Sequence, residues 1–321
     1  MLELLSVLVL TAHLLAMNLA TATPLIVAGL HWWGATRGRD PLAVPLARLS
    51  AQAIVVGVLL GVVQLALAWH DHALLLQQAF ELLPVRRYWF GATELIFSWA
   101  CLVGYARAVA TRQAADKTVS AWWALLPFAA ATNLAYHFPP LFAMLGVYGT
   151  RPESWGKPLS FVAALGDPEI GGLWLHFLLA SATVAGLALA WCALRTKQPD
   201  HNAQRGTLAG GRIALGATVL QLVSGLHLLS VVDERARDSL LGGDLFGTLG
   251  FAAALVATVM LLHRLASIAL AETTLAELRG TALTLMLVVL CMVGSLQASR
   301  RLIHNQILNE EKRETTSELS L

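Results

Sequence analysis

The sequence predicts an all-α integral membrane protein, a helical bundle of about eight transmembrane helices. Three observations carry this. Hydrophobic residues make up 57% of the 321 positions and charged residues only 13%, against about 45–50% and 25% in soluble domains. Mean hydropathy is +0.65. Apolar runs near 20 residues, the length that crosses a hydrocarbon core of about 30 Å, recur along the chain with the breakers and charges gathered between them.

The runs fall at about 4–30, 46–69, 88–110, 121–147, 171–194, 211–232, 245–268 and 281–299, within a single polytopic domain spanning 1–304. Their connectors hold Gly38-Arg39-Asp40-Pro41, Arg112 to Lys117, Arg151-Pro152-Glu153, Lys197 to Arg205, Asp233 to Asp238 and Glu272 to Arg279. None is long enough for a second domain. Residues 70–87 mix Leu74, Leu75, Leu76, Phe80, Leu82 and Leu83 with Asp71, His72, Gln77, Gln78 and Glu81, the pattern of a short helix lying in the interface. Residues 305–321 form a polar C-terminal tail, expected to fray. Met1-Leu2-Glu3-Leu4-Leu5 lacks the positive charge of a signal peptide, although Ala20-Thr21-Ala22 imitates a cleavage site, so the first run reads as a retained helix.

Orientation follows from the loop cations. Connectors 1-2, 3-4, 5-6 and 7-8 hold twelve (Arg37, Arg39, Arg48, Arg107, Arg112, Lys117, Arg195, Lys197, Arg205, Arg212, Arg264, Arg279), and the alternate connectors hold six (Arg86, Arg87, Arg151, Lys157, Arg235, Arg237). The first set is read as cytoplasmic. That places the N-terminus outside a bacterial-type inner membrane, with Arg300, Arg301, Lys312 and Arg313 of the tail weighing against it. The ten tryptophans, Trp32-Trp33, Trp122-Trp123, Trp155 and Trp174 among them, fall mostly at helix ends and read as interfacial anchors.

A net charge of +2, dispersed among loops, argues against a nucleic-acid partner. Cys101, Cys192 and Cys291 lie inside apolar runs with no Cys-x-x-Cys spacing, which removes covalent c-type heme, iron–sulfur clusters and disulfide frameworks. Any metal centre must use His, Met or carboxylate.

Ionisable groups inside the runs are costly and so invite a functional reading. His13, Glu94, His137, His176 and His227 come from five different runs, and all but the mid-span His13 fall in the outer half of the bilayer by this topology. His176 and His227 lie at matching depth, with Ala180, Ser181, Ala182, Ala185 and Gly186 on one run and Gly216, Ala217, Ser224 and Gly225 on the other as small residues against which a porphyrin fits. They are the candidate axial ligands of a low-spin b-type heme. The structural alternative for each is a hydrogen bond to a neighbouring helix. His13, one turn from Met17 and Asn18, needs a ligating partner from another run, with Glu94 or His137 available, or else packs helices. His137 precedes Pro139-Pro140, which must break or kink the run, so it either ligates or satisfies a freed carbonyl. Glu94 reads as a proton relay or ligand, or as a structural partner of Arg86 or Arg87. His31, His70, His72, His263 and His304 read as interfacial.

The residues then resemble subunit I of the cytochrome bd quinol oxidases. Glu94, Phe97, Gly104-Tyr105 and Arg107 keep the spacing of that family's third helix, Asn133 and Pro139 that of its fourth, and His176, Ala180-Ser181 and Gly186 that of its fifth, while His13 matches its single helix-1 histidine. The resemblance covers about residues 1–230. It implies that His176 ligates a low-spin heme b near the outer face and that His13 serves a high-spin site. Two departures matter: Arg86 stands where the family has a second helix-3 Glu, and only about a dozen residues separate Val232 from Leu245, where the family has a long quinol-binding loop. The family's Met ligand has no clear counterpart, which leaves His227 as its substitute.

The expected function is therefore a membrane-bound b-type cytochrome. It carries one or two non-covalent hemes b and passes electrons between the quinone pool and a redox partner subunit or c-type cytochrome. A quinol-oxidising oxygen reductase is the first alternative, and a heme-free transporter or assembly protein the second.

Overall fold

The computed structural model describes residues 2–34, 41–81, 83–148, 151, 160–196, 201–271 and 273–318. Arg37, Arg39, Leu82, Pro152, Glu153, Trp155, Lys157, Lys197 and Glu272 lie outside the described residues. So do the side chains of Asp71, His72, Leu74, Leu75, Gln78, His304, Lys312 and Arg313.

The described residues are helical and contain no strand: α1 (Leu2–Gly34), α2 (Ala43–Glu81), α3 (Val85–Ala114), α4 (Leu125–Tyr136), α5 (Phe138–Tyr148), α6 (Phe161–Ala164), α7 (Pro168–Leu194), α8 (His201–Val231), α9 (Glu234–Asp238), α10 (Leu245–Leu270) and α11 (Leu275–Glu318). A 3-10 turn at Ala121–Ala124 leads into α4, and a π turn at Ser239–Gly243 leads to α10. Six helices are long and apolar enough to cross a membrane: α1, α2, α7, α8, α10 and α11. α3, with 30 residues, has the length, but Arg86, Arg87, Glu94 and Arg107 make it too polar to join them. α4 and α5 are each too short because the chain breaks between them. These three occupy the places of the third and fourth predicted spans. The protein is thus an all-α membrane bundle. Its lipid-facing surface is apolar, with Val55, Val62, Leu220, Val223 and Val256 all exposed.

Two of the expected irregularities take other forms. Residues 70–81 do not lie apart as an interfacial helix; they continue α2 without a break to Glu81. The backbone of 305–318 likewise continues α11. A polar sequence can prolong a helix whose backbone bonds are already propagating.

Prolines dictate where other helices supply hydrogen bonds. Pro24 sits inside α1 and withholds the N–H that Ala20 O would accept. Ser50 Oγ of α2 donates to that carbonyl instead, at 3.1 Å. Pro139 similarly frees Ala135 O, and Trp174 Nε1 of α7 donates to it at 2.7 Å. The freed carbonyl thus goes to a tryptophan expected only to anchor the bilayer edge, and not to His137.

α1 packs on α2, α4 and α7, α3 joins α2 and α4, and α8, α10 and α11 continue the bundle from α7. α1 and α7 are therefore the shared centre. Ser181 Oγ donates to Asn18 Oδ1 at 2.9 Å, and further along Val27 packs with Leu189 and Ala193, so the two helices run parallel. At its start α7 is capped by Asp167, which accepts from Glu169 N and Ile170 N. Arg151 grips Asp167 at 2.8 Å and Glu169 at 2.7 Å. Burial alone would raise the Asp167 carboxyl, but Arg151 and the cap N–H groups hold it below the usual carboxylate range.

Candidate functional site

The Asn18–Ser181 hydrogen bond sets a level from which the candidates can be placed. His13 and His176 each lie five positions before it on parallel helices, about 7.5 Å along the axis. Trp174, two positions before His176, touches Ala135, which brings the end of α4 to nearly the same level. His13, His137 and His176 thus share one layer, toward the end of the bundle that holds the N-terminus of α1. Glu94 joins it through His137.

His13 lies in a groove of α2. Its Nδ1 is 2.8 Å from Gly57 O, and a Cβ on Gly61 would come within 2.9 Å of its ring. A carbonyl can only accept, so the proton belongs on Nδ1 and the lone pair on Nε2. This is the arrangement by which ligating histidines are fixed. Met17, one turn on, fills the neighbouring notch at Gly57.

His137 is only 2% exposed. Its ring stacks on Phe161, with centroids 5.4 Å apart and planes 16° off parallel. Phe90 and Phe138 meet it edge-on at 5.3 and 5.8 Å. Nδ1 lies 3.3 Å from Glu94 Oε2, within ion-pair distance but outside hydrogen-bond geometry. Among the described residues, His137 Nε2 and Glu94 Oε2 are buried without a hydrogen-bond partner. Arg87 lies over Phe161 at 5.2 Å and forms the polar edge of this cage. Asn133, in α4, donates to Glu94 O at 3.0 Å and to Ser98 Oγ at 2.8 Å. It holds α3 at the register that brings Glu94 to His137.

His176 is engaged by α8 through both nitrogens. Ser224 Oγ spends its proton on Gln221 O at 3.1 Å, so it accepts from His176 Nδ1 at 3.1 Å. Gln221 Nε2 then donates to His176 Nε2 at 3.2 Å. The lone pair of His176 again sits on Nε2, with an amide where a metal would be. The sequence pointed to Ser224 only as a small residue and not to Gln221 at all; their i, i+3 spacing inside an apolar run is the signal that marks them as partners.

His227 differs from the other three. It is exposed and lies against Gly172, one turn before His176 on α7. The α7–α8 seam is closed: a Cβ on Gly186 would fall 2.6 Å from Gly210 O, and one on Gly172 would fall 3.2 Å from Leu228. Thr183 and Thr218 bond across it at 3.0 Å. At the level of the two rings His176 lies against Gly225 and His227 against Gly172, so the expected His176–His227 pairing finds no open slot between α7 and α8 as they are packed. Of the histidines expected to be interfacial, His31 is buried, with Nδ1 2.9 Å from Tyr105 Oη and Nε2 3.0 Å from Ser120 O. It ties α1 to α3, and this gives Tyr105 a structural duty.

Among the described residues no three His, Cys, Asp or Glu side chains gather as a metal-ion site. A heme iron takes four donors from its porphyrin and needs one or two from protein. Nε2 of His13 has the tautomer such a donor requires, whereas Nε2 of His176 is met by Gln221.

No protein-family model matches the sequence, and no curated protein does. Among solved structures the chain is similar to the bd oxidase from Geobacillus thermodenitrificans, with a TM-score of 0.63 over 94% of this chain and 86% of that chain, at 14% identity. At that identity the likeness is one of fold.

Proposed function

We propose that this chain is a membrane subunit of a bd-oxidase-like respiratory assembly. In this reading it binds heme b without a covalent link and passes electrons between the quinone pool and a redox partner, a c-type cytochrome or a second subunit. It lies in the bacterial-type inner membrane with its N-terminus outside. The observation that carries the reading is His13, whose Nδ1–H is committed to Gly57 O and whose Nε2 is left to bind. The likeness in fold to a bd oxidase supports it.

When bound, the heme supplies one-electron chemistry. The chain's own residues do the rest. Gly57 and Gly61 give His13 its place, and the Gly57 carbonyl strengthens the basicity of the opposite nitrogen. Glu94 Oε2 and His137 Nδ1 lie 3.3 Å apart at the edge of one cage, and either can take up a proton that accompanies electron transfer. Phe90, Phe138 and Phe161 keep water from that pair, and Asn133 keeps the carboxyl in reach. His176, with Gln221, is a second ligand position.

The test is a reduced-minus-oxidised visible spectrum of the protein purified after heme-sufficient expression. The expected result is heme b bands that vanish in His13→Ala, weaken in His176→Ala and persist in His227→Ala. Absence of any bands from the wild-type protein would overturn the reading. A second reading, a heme-free transporter or assembly protein, is supported by the closed α7–α8 seam, where Ser224 and Gln221 meet the two nitrogens of His176. The same spectrum separates the two, and oxygen uptake with added quinol distinguishes an oxygen reductase from an electron carrier.

A further inference from the structure

An open groove of about 700 Å³ lies between α10 and α11, near the turn that joins them. Val259 and Met260 form an apolar wall, both exposed and continuous with the lipid-facing surface. His263, Arg264 and Ser267 line the polar part. Glu277 is the lining carboxylate, and it is already committed: Thr274 N and Thr274 Oγ1 donate to its Oε2 at 2.7 and 3.0 Å.

Arg264 is the unusual member. Three neighbouring arginines are occupied: Arg195 and Arg279 lie over Trp191 at 4.8 and 6.0 Å, and Arg212 Nε donates to Ala269 O at 3.3 Å. Arg264 makes no hydrogen bond or ion pair with the described residues. Its guanidinium lies across Gly280, where a Cβ would come within 2.7 Å of Nη1. It stands six residues before the end of α10, about 9 Å along the axis, the depth at which the hydrocarbon core gives way to headgroups. A cation left alone there is costly unless an anion meets it.

We propose that this groove binds the phosphodiester of an anionic membrane phospholipid. Arg264 forks onto two phosphate oxygens, His263 and Ser267 complete the polar side, and the acyl chain follows Met260 and Val259. Basic pockets between transmembrane helices at this depth suit such headgroups. The apolar wall selects a lipid over a free anion. The inference is independent of heme binding.

The full chain, stripped of lipid in a neutral detergent, is titrated with dioleoylphosphatidylglycerol or dioleoylphosphatidylcholine while its thermal midpoint is followed. Phosphatidylglycerol is expected to raise the midpoint saturably and phosphatidylcholine to leave it nearly unmoved. Arg264→Gln should weaken the apparent affinity about tenfold, and Arg279→Gln should not. Gly280→Ala displaces the guanidinium without removing it and should weaken binding less; it decides the matter if Arg264→Gln does not fold. Equal shifts with both lipids, unchanged affinity in the Arg264 and Gly280 variants, or a full shift with inorganic phosphate alone would each overturn the proposal.

Discussion

Two seams of the bundle use glycine for opposite ends. Between α1 and α2, Gly57 and Gly61 open notches that side chains fill: Met17 enters the first and the His13 ring the second. Between α7 and α8, Gly186 and Gly210 bring backbone to backbone, and the missing Cβ atoms would have struck main-chain atoms and Ala190 or Ala214. One seam is a socket and the other a weld. A small residue therefore says only that something comes close. Whether that something is a functional ring or a neighbouring helix depends on the partner helix of the seam.

The sharpest way to break this contrast is Gly210→Ala. Its new methyl meets backbone, which cannot move without parting α7 from α8. The expected loss is about 1–3 kcal/mol, read as a fall in thermal midpoint in detergent. A neutral result would show that the weld yields.

Gly61→Ala is the matching change on the socket side. Its methyl meets the His13 ring first, 2.9 Å away, and a side chain gives more readily than a main chain. Stability should fall by less than in Gly210→Ala, by roughly 1 kcal/mol, while the His13-dependent heme spectrum shifts. A larger stability loss than Gly210→Ala would reverse the assignment of the two seams.

Acid should act outside both seams, at the start of α7. The folded Asp167 carboxyl lies below its usual range, so its contribution is present above the unfolded carboxyl's value and is lost as pH falls through the folded one. Asp167→Asn should flatten the acid limb of the stability curve, with about 1 kcal/mol at stake for a part-exposed group. An unchanged acid limb would remove Arg151–Asp167 from the account.

Gly104→Ala is the smallest. Nothing stands within 4 Å of its missing Cβ, so helix propensity alone acts, and a gain of roughly 0.5–1 kcal/mol is expected. A loss there would show that α3 meets a surface this chain alone does not reveal.

The fold was legible because membrane burial imposes its demands locally. Every apolar run must be a helix to satisfy its own backbone, and Pro139-Pro140 announce the break at His137. The continuation of α2 through residues 70–81 was not legible, since an amphipathic stretch reads alike whether it lies in the interface or prolongs a span. The candidate residues were visible one at a time, each as an ionisable group in an apolar run. Their pairings were not. Glu94 was weighed against Arg86 and Arg87 as neighbours in sequence, and it meets His137, with Arg87 at the edge of the same cage; His176 was matched with His227 by depth, and Gln221 and Ser224 meet its two nitrogens.

The sequence by itself determined that this is a helical membrane protein and that His13, Glu94, His137 and His176 need an explanation, because both follow from the cost of polar groups in hydrocarbon. The tertiary structure alone decided what meets each ring nitrogen. That depends on the rotation of one helix against its neighbour: a turn of α2 puts Gly57 O beneath His13, and a turn of α8 puts Gln221 in front of His176. Depth can be counted along a chain, but azimuth is fixed only by packing.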